Sequence, residues 1–360
     1  NTPADLIYFQ GWSWQPFADK DVLAPVDDYI QQDQAKAFWV DNENYIANTM
    51  WQGKTYMSVA DTGSVVMFYS KELFDKAGVP YPVDGWSYAE FQSAVEKTTF
   101  KEGDIQYYGY AQAGGWNGTY LRSLHWMRMN GSLEWDQIVE PKEARWLQDD
   151  IINGLQYTVV DTIARGFCPS PATIQGGGVT IATGRVALTM EGPWFLAQMQ
   201  GDKPTREGGV PFDVVEPPLG ATGKDETIAE VHGQVLAKAS KNPDAAWKLM
   251  KYIMTDEGQK RIAEGGRMCG TPDNIEKYWV PIAQEKYKFS NGKAFANAMR
   301  TGRNPIFAGA GANYDAVAGQ GTPLAVAWDA MLNGTSARDA LTEAQPKLQK
   351  ILDDYWAKKQ

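Results

Sequence analysis

Short apolar runs separated by glycine and polar residues predict a series of buried strands along the chain. Leu6 to Phe9 is apolar and Gly11 follows, as expected of a buried strand that opens into a loop. Further apolar runs predict strands at 65–69, 186–190, 212–215 and 234–237.

Helices are predicted where a capping residue precedes apolar positions spaced three and four apart. Ser70 begins a short helix of this kind. Ser87 and Glu90 form a capping box, and Trp86 and Phe91 are spaced to pack together across the first turn.

The second half of the chain contains further helix signals. Asn242 caps a helix with Pro243 at its first position, and 256–264 forms another. A longer helix begins at Ser336, and Pro346 should kink or divide it. Strands that alternate with helices predict an α/β protein with mainly parallel sheets, and 360 residues are enough for two domains.

The charge balance argues against polyanionic partners. The chain has 44 acidic and 34 basic residues, a net charge of −10, and no dense run of Lys and Arg. A nucleic-acid-binding surface needs a basic stripe to meet phosphates. Nucleic acids and anionic membranes are therefore not expected as partners, and no apolar run is long enough for a membrane span.

Aromatic residues are abundant and suggest a ligand class. Fourteen Trp and seventeen Tyr supply flat faces that carry a polar group. Such rings suit a pyranose, which has an apolar face and a rim of hydroxyls. Aromatic residues also dominate protein cores, so only a few of them are expected at a site.

Cysteine and histidine carry little further chemistry. Cys168 and Cys269 either form one disulfide in an exported protein or remain two buried thiols. Two Cys and two His lack zinc-ligand spacing, and Gly176-Gly177-Gly178 lacks the Gly-Lys-Ser/Thr of a phosphate loop. No metal or cofactor is therefore expected. No signal peptide is visible at Asn1, so the chain is either cytoplasmic or already processed.

Several stretches, read in order, carry a resemblance to a known family. They are Pro3 to Leu6 with Asp27-Asp28-Tyr29-Ile30, Gly53-Lys54-Thr55-Tyr56 with Phe68 to Gly78, Trp86 to Phe91, Gly184 to Leu188 with Gly192-Pro193-Trp194, and Ala239 to Pro243 with the helices up to Gly265. This ordered set resembles the extracellular solute-binding proteins of ABC sugar importers, the family that includes maltose-binding protein.

The resemblance implies a two-lobed periplasmic-binding-protein fold of type II. Each lobe is expected to hold a mainly parallel sheet flanked by helices, with the ligand cleft between the lobes. The expected N-terminal lobe comprises 1–111 and 271–307, and the expected C-terminal lobe comprises 112–270 and 308–360. Gly-rich segments are the candidate crossings, at 111–115, 265–270 and 308–311. The family's first strand-helix-strand unit has no counterpart here, so the first lobe is expected to lack it.

Candidate ligand contacts lie in loops at strand ends. Trp12 and Trp14 follow the first strand and either stack on a sugar ring or pack the loop onto its own lobe. Asp61 and Thr62 either accept bonds from sugar hydroxyls or form an ordinary turn.

Two further loops are candidates for the cleft wall. Trp116 and Asn117 lie beside two glycines, a combination that suits a ligand-facing loop. The resemblance implies that Glu191, Gly192 and Trp194 face the cleft. There the glycine lets backbone approach ligand, the Trp stacks, and the acid either accepts hydroxyl protons or forms a salt bridge.

His232, Gly233 and Arg267 complete the predicted site. His232 and Gly233 begin a strand at a position where the family often exposes backbone to ligand, whereas a lone His is otherwise a structural residue. Arg267 either binds hydroxyls or a carboxylate, or ties the hinge.

These residues support a transport receptor that performs no chemistry. Such a protein would capture a di- or small oligosaccharide in the periplasm by hinge closure and deliver it, as a monomer, to ABC permease subunits. A glycosidase is the alternative, but it needs two carboxylates across the scissile bond, and no such pair stands out. A chemosensory ligand-presenting role is compatible with the receptor hypothesis.

Overall fold

The computed structural model describes residues 4–35, 43–112, 122–175, 178–303 and 309–359. Strands in these ranges form two main sheets and one small hairpin. The strands are β1 (Leu6–Gln10), β2 (Leu23–Ala24), β3 (Met50–Trp51), β4 (Lys54–Thr55), β5 (Met57–Ser64), β6 (Val66–Ser70), β7 (Phe100–Glu102), β8 (Ile105–Ala111), β9 (Val186–Glu191), β10 (Phe212–Val215) and β11 (Ala229–Ala237).

Helices cover both sheets and supply most of the remaining structure. The α-helices are Gln15–Asp19, Asp27–Asp33, Glu43–Thr49, Lys71–Ala77, Tyr88–Lys97, Leu124–Arg128, Asp149–Leu155, Thr162–Ala164, Pro171–Gln175, Leu196–Met199, Pro243–Ile253, Asp256–Glu264, Pro272–Asn274, Val280–Tyr287, Lys293–Thr301, Tyr314–Val317, Pro323–Leu332 and Ala337–Ala357. Single π-helical stretches lie at Gln156–Asp161 and Ile275–Trp279, and 3₁₀ turns lie at Ile181–Thr183 and Pro193–Phe195.

The first sheet is organised around β11. This strand pairs with β1, β2 and β5, and every one of these pairings is antiparallel. The second sheet has the order β10-β6-β9-β8-β7, in which only β8 and β9 run parallel. The α/β class is confirmed, but the prediction of mainly parallel sheets is wrong. A continuous apolar run reports that a strand is buried and carries no information about its direction.

Strand pairing also contradicts two predicted lobe boundaries. β6 and β8 share a sheet with β9 and β10, although a boundary at 111 assigns the first two to the other lobe. β11 pairs with β1 and β5, although a boundary at 270 separates them. The chain changes sheet at Val65, between β5 and β6, and again between β10 and β11. Glycine-rich segments do not mark the crossing at Val65, because the chain passes between the two sheets there as extended backbone. The third predicted crossing, at 308–311, begins at a residue that lies outside the described residues, and it stays a prediction.

The two crossings lie side by side. Ser64, the last residue of β5, is the pairing partner of Ala229, the first residue of β11. Ile228 forms a bridge with Arg303, and the Arg303 amide donates to Thr227 O at 3.0 Å. The chain segments that enter and leave the second sheet are thus hydrogen-bonded to one another.

Alternating residues around β6 enter two different cores. Val65 and Met67 belong to the larger apolar cluster, whereas Val66 and Phe68 belong to a second cluster that includes Phe295. Side chains alternate faces along a strand, so burial on both faces explains why this run is apolar throughout.

Local signals at helix starts are largely confirmed. The Ser70 hydroxyl accepts from the Leu73 amide. Ser87 and Glu90 form the reciprocal capping box, and the rings of Trp86 and Phe91 pack edge to face, with centroids 5.9 Å apart.

Other local predictions need correction. Asn242 precedes the helix Pro243–Ile253, but its side chain donates to Asp5 and makes no cap. The helix Ala337–Ala357 continues through Pro346, with Leu341 and Leu352 packed in the core on either side of the proline. β11 begins at Ala229, five residues before the predicted strand start at 234. The apolar pattern did not predict this first half because it contains the polar residues Glu230 and His232.

The two cysteines do not form a disulfide. Both are free and buried, and their sulfurs lie near different backbone carbonyls, Cys168 Sγ 3.5 Å from Pro169 O and Cys269 Sγ 3.4 Å from Gln259 O. Burial raises the pKa of each thiol to about 12. A thiol that resists ionisation reacts slowly, because the thiolate is the nucleophile.

A thiol titration tests this arrangement. Denatured, unreduced protein should react with two equivalents of a thiol reagent, while the folded protein should react slowly at neutral pH because both sulfurs are buried and protonated. Absorbance of the released chromophore measures both. Zero reactive thiols after denaturation would mean that Cys168 and Cys269 are bonded.

Candidate functional site

A buried ionic cluster lies on the first sheet, just before the chain crosses to the second. Asp61 of β5 is the register partner of His232 of β11, and Asp61 is only 2% exposed. Its carboxylate accepts a hydrogen bond from Tyr8 Oη at 2.9 Å and one from Arg267 Nη2 at 2.7 Å, and it lies 3.0 Å from His232 Nδ1. Three separate segments therefore meet at one carboxylate.

Glu230 makes the cluster a balanced set of charges. Its Oε1 lies 2.8 Å from His232 Nε2, so the imidazole sits between two carboxylates. Burial lowers the pKa of His232, but Glu230 and Asp61 outweigh this and raise it to about 9. Burial raises the pKa of Asp61, yet bonds from His232 and Arg267 bring it below its ordinary value. Two acids and two cations thus neutralise each other in the sheet.

Trp12 connects this cluster to a cleft. Its indole is 6% exposed, and its ring meets the His232 ring edge to face, with centroids 6.4 Å apart. A cleft of about 560 Å³ lies beside it. The lining combines three aromatic rings with polar side chains and is formed by Gln10, Trp12, Ser13, Pro16, Phe17, Lys20, Asn313, Tyr314 and Asp315. Residues far apart in sequence, near 10–20 and 313–315, thus line the same cleft.

A second constellation lies at the end of β9, on the second sheet. Glu191 pairs in register with Val66, the residue immediately after the crossing. Arg122 binds the Glu191 carboxylate with two bonds, Nε to Oε1 at 2.9 Å and Nη2 to Oε2 at 3.0 Å. Trp194 Nε1 donates to Oε2 of the same carboxylate at 2.9 Å. Paired bonds of this kind hold an Arg and a carboxylate in one plane.

Trp194 is held by its edge while its ring remains accessible. The side chain is 42% exposed, although the acid that it bonds is buried. A Cβ added at Gly192 would lie 2.3 Å from the indole, so the absence of a side chain there lets the ring lie against the backbone. A cavity of about 280 Å³ adjoins Trp194, Glu191 and Arg122.

Some predicted residues belong to the framework. Trp14 is fully buried, with Nε1 donating to Asn48 O at 2.8 Å and its ring packed on Tyr56, so the interpretation as a stacking residue is wrong. Thr62 is buried and its hydroxyl donates to Cys269 O at 2.7 Å, which ties two segments together. A Cβ at Gly233 would lie 1.7 Å from Ser58 O, so this glycine is explained by the close approach of β5 and β11.

The remaining predicted residues fall into two groups or lie elsewhere. Asp61, His232 and Arg267 meet in the ionic cluster, with Trp12 against it. Glu191, Gly192 and Trp194 form the second constellation. Trp116 and Asn117 lie outside the described residues.

Sequence reasoning missed three residues of the two constellations. They are Tyr8, Glu230 and Arg122. Glu230 lies two residues before His232, so a shared strand face was a usable signal for it. Arg122 and Glu191 are 69 positions apart, and no local pattern links them.

Comparisons with known proteins agree on the family and the fold. The model of the family described as bacterial extracellular solute-binding protein matches residues 1–260. Binding proteins of Brucella abortus strain 2308 and Brucella suis biovar 1 strain 1330 are each 23% identical over 276 residues, which cover 73% of this chain and 61% of theirs. The chain thus spans about three fifths of the length of these curated relatives.

Solved structures with the same fold cover almost the whole chain. An ABC substrate-binding protein of Listeria monocytogenes, in complex with cycloalternan, has a TM-score of 0.75 at 20% identity, covering 97% of this chain and 85% of its own. A solute-binding protein of Thermotoga lettingae, bound with α-D-tagatose, has a TM-score of 0.74 at 20% identity with the same coverages. A sugar-binding protein of Xanthomonas citri has a TM-score of 0.73 at 17% identity, covering 99% and 86%. At these identities the likeness establishes the type II binding-protein fold alone.

Within the described ranges, no helix is both long and apolar enough to cross a membrane. No group of three or more His, Cys, Asp and Glu in those ranges has the arrangement of a metal site.

Raising the pH should weaken the folded state through His232. Its pKa is raised from the ordinary 6.5 to about 9, so the imidazolium stabilises the fold fully below pH 6.5, and this contribution is lost as the pH rises through about 9. We expect the free energy of unfolding, measured by urea titration, to fall by about 1–3 kcal/mol over this interval. In His232→Gln this part of the pH dependence should disappear. Identical pH slopes in the two proteins would contradict the assignment.

Proposed function

Because the chain belongs to the family of bacterial extracellular solute-binding proteins, we propose that it is the substrate-binding component of an ABC sugar importer. In this proposal it captures a di- or small oligosaccharide in the periplasm and delivers it, as a monomer, to the membrane permease. No covalent chemistry on the sugar is involved.

The observation that carries the proposal is the combination of aromatic rings and fixed polar groups that line two cavities. Trp194 presents its ring while Glu191 holds its Nε1, and Trp12, Phe17 and Tyr314 line a cleft with polar neighbours. A pyranose offers an apolar face to such rings and hydroxyls to such polar groups. The sugars in the Listeria and Thermotoga structures, cycloalternan and tagatose, are consistent with this ligand class.

Hinge closure is proposed from the pattern of chain crossings. One lobe would comprise 4–64 and 229–303, and the other 65–228 and 309–359. Sheet membership supports the division at 64 and 229, and 309–359 is assigned by the apolar cluster that Trp328 and Leu341 share with Met67. Connections that lie side by side, as Ser64 and Ala229 do, allow two bodies to rotate about one line. The cleft beside Trp12 draws its walls from both proposed lobes, so closure would narrow it.

The state of the carboxylates in the two constellations favours binding over glycoside hydrolysis. A general acid in a glycosidase needs a carboxyl group whose pKa is raised and whose proton reaches the substrate. The pKa of Asp61 is lowered, and Glu191 is committed to Arg122 and Trp194. Glu230 has a raised pKa because of burial, but its side chain is enclosed in the sheet.

Calorimetric titration against mono- and oligosaccharides, uronic acids and polyols tests the proposal. Saturable one-to-one binding with the sugar recovered intact supports a receptor. Steady consumption of the sugar would instead support the hydrolase, and no binding to any member of the panel would contradict a sugar ligand.

Replacing Trp194 by Ala should reduce sugar affinity tenfold or more, because the stacking face is lost, equivalent to about 1.4 kcal/mol or more. The midpoint of thermal unfolding should change little, since the ring is largely exposed. Tyr252→Ala, which removes a similarly exposed ring on the helix Pro243–Ile253, is the matched control and should bind normally. Equal affinity of Trp194→Ala and wild type would remove Trp194 from the site.

A further inference from the structure

The cavity beside Trp194 has a distinctive distribution of charge. Among the described residues that line it, only Arg122 and Glu191 are charged, and they are bonded to each other. The other lining side chains are apolar or neutral and polar. The cavity therefore has one positive and one negative group, and each already has its counterion.

The Arg122–Glu191 pair is too well satisfied to serve a ligand anion. Both oxygens of Glu191 accept from Arg122, and Oε2 also accepts from Trp194 Nε1 and, at 3.3 Å, from the Gly192 amide. The two side chains are mostly shielded from solvent. A ligand carboxylate would have to displace Glu191 from a bidentate pair and remain beside a second negative charge, which is unfavourable in a poorly solvated site.

Gln112 contributes a group of the opposite kind. Its side chain lines the same cavity and is only 5% exposed. Nε2 donates to Thr158 O at 2.7 Å, which fixes the orientation of the amide. The buried Oε1 has no hydrogen-bond partner among the described residues. A buried acceptor without a donor is unfavourable, so this oxygen is suited to a hydroxyl supplied by a ligand.

The volume of the cavity limits what it can hold. At about 280 Å³ it is close to the lower end of small-molecule sites, which suits one ring of a larger sugar better than a whole oligosaccharide. Trp194 adjoins this volume with its exposed ring.

We propose that this cavity takes one neutral, hydroxyl-bearing ring that stacks on Trp194 and donates a hydrogen bond to Gln112 Oε1, and that Glu191 excludes anionic sugars by neutralising Arg122. The inference rests on the proposed sugar-binding function and specifies its ligand class. It makes Gln112 and Glu191 the residues that determine specificity, the first by accepting a hydroxyl proton and the second by cancelling a cation.

Removing the charge of Glu191 tests its role in excluding anionic sugars. Calorimetry would compare each neutral sugar that binds with its uronic acid counterpart, in the wild type and in Glu191→Gln. The wild type should favour the neutral sugar by tenfold or more. In Glu191→Gln the guanidinium of Arg122 keeps its charge without a counterion, so the preference should shift towards the uronate by tenfold or more. Glu257→Gln removes an exposed carboxylate that pairs with Arg261 and should leave the preference unchanged.

The outcomes separate this inference from the proposed function. Wild-type preference for the uronate, or an unaltered preference in folded Glu191→Gln, overturns the inference while leaving a sugar receptor intact. Absence of binding to every neutral and acidic sugar overturns the proposed function, and the inference fails with it. Circular dichroism establishes that each variant is folded.

A thermodynamic cycle that combines one substitution in the protein with one deoxy position in the sugar tests Gln112 independently of charge. Deoxy analogues of the bound sugar remove one hydroxyl at a time, and the analogue that lacks the donor to Gln112 should bind the wild type about tenfold more weakly. Gln112→Met, of similar shape, should bind the parent sugar and that analogue equally. If every analogue keeps its wild-type penalty in Gln112→Met, Gln112 is not the acceptor. Should Gln112→Met fail to fold, deoxy analogues that all bind the wild type as well as the parent sugar would overturn the hydrogen bond.

Discussion

The structure depends on an extended segment, 57–70, that belongs to one sheet before Val65 and to the other sheet after it. The segment is buried throughout, and its alternating residues supply two different apolar cores. Asp61 lies on it before the crossing, and Val66 pairs with Glu191 just after the crossing. Both polar constellations are therefore attached to the same length of extended backbone. Five residues of strand span about 17 Å at most, which limits how far apart the two can lie along it.

Ion pairs within the protein already neutralise the charged groups of both constellations before any ligand binds. Asp61 and Glu230 are matched by His232 and Arg267, and Glu191 is matched by Arg122. A buried charge without a partner is costly, so these groups are arranged by the fold itself and keep few bonds to offer. Within these two constellations, the groups that remain for a ligand are aromatic faces and neutral polar atoms. This distribution is the chemical reason for proposing a neutral sugar receptor.

Local sequence was sufficient to predict the segments and insufficient to predict their directions and partners. The capping box at Ser87 and the cap at Ser70 are short-range chemistry, and both are confirmed. The parallel sheets and the lobe boundaries at 111 and 270 were wrong, because strand direction and sheet membership are decided by pairings between distant residues. The Asn242 cap failed for a related reason, since distant Asp5 binds its side chain.

Local sequence was likewise sufficient to predict some residues of the candidate site and insufficient for others. Trp12 and Trp14 are two positions apart and looked equivalent in sequence, yet only Trp12 lines a cleft. The difference lies in what surrounds each ring: Trp14 Nε1 bonds to a buried backbone carbonyl of Asn48, whereas Trp12 packs edge to face on His232.

Trp194 differs from Trp14 in the kind of acceptor that its Nε1 binds. Its Nε1 is also bonded, but to a carboxylate at the cavity edge, so one edge of the ring is fixed and its surface remains exposed. In these two cases the location of the hydrogen-bond acceptor decides whether the tryptophan ring is buried in the core or left accessible. That acceptor can be far away in sequence or three residues away, as Glu191 is from Trp194, and only the three-dimensional arrangement distinguishes a buried anchor from one at an accessible edge.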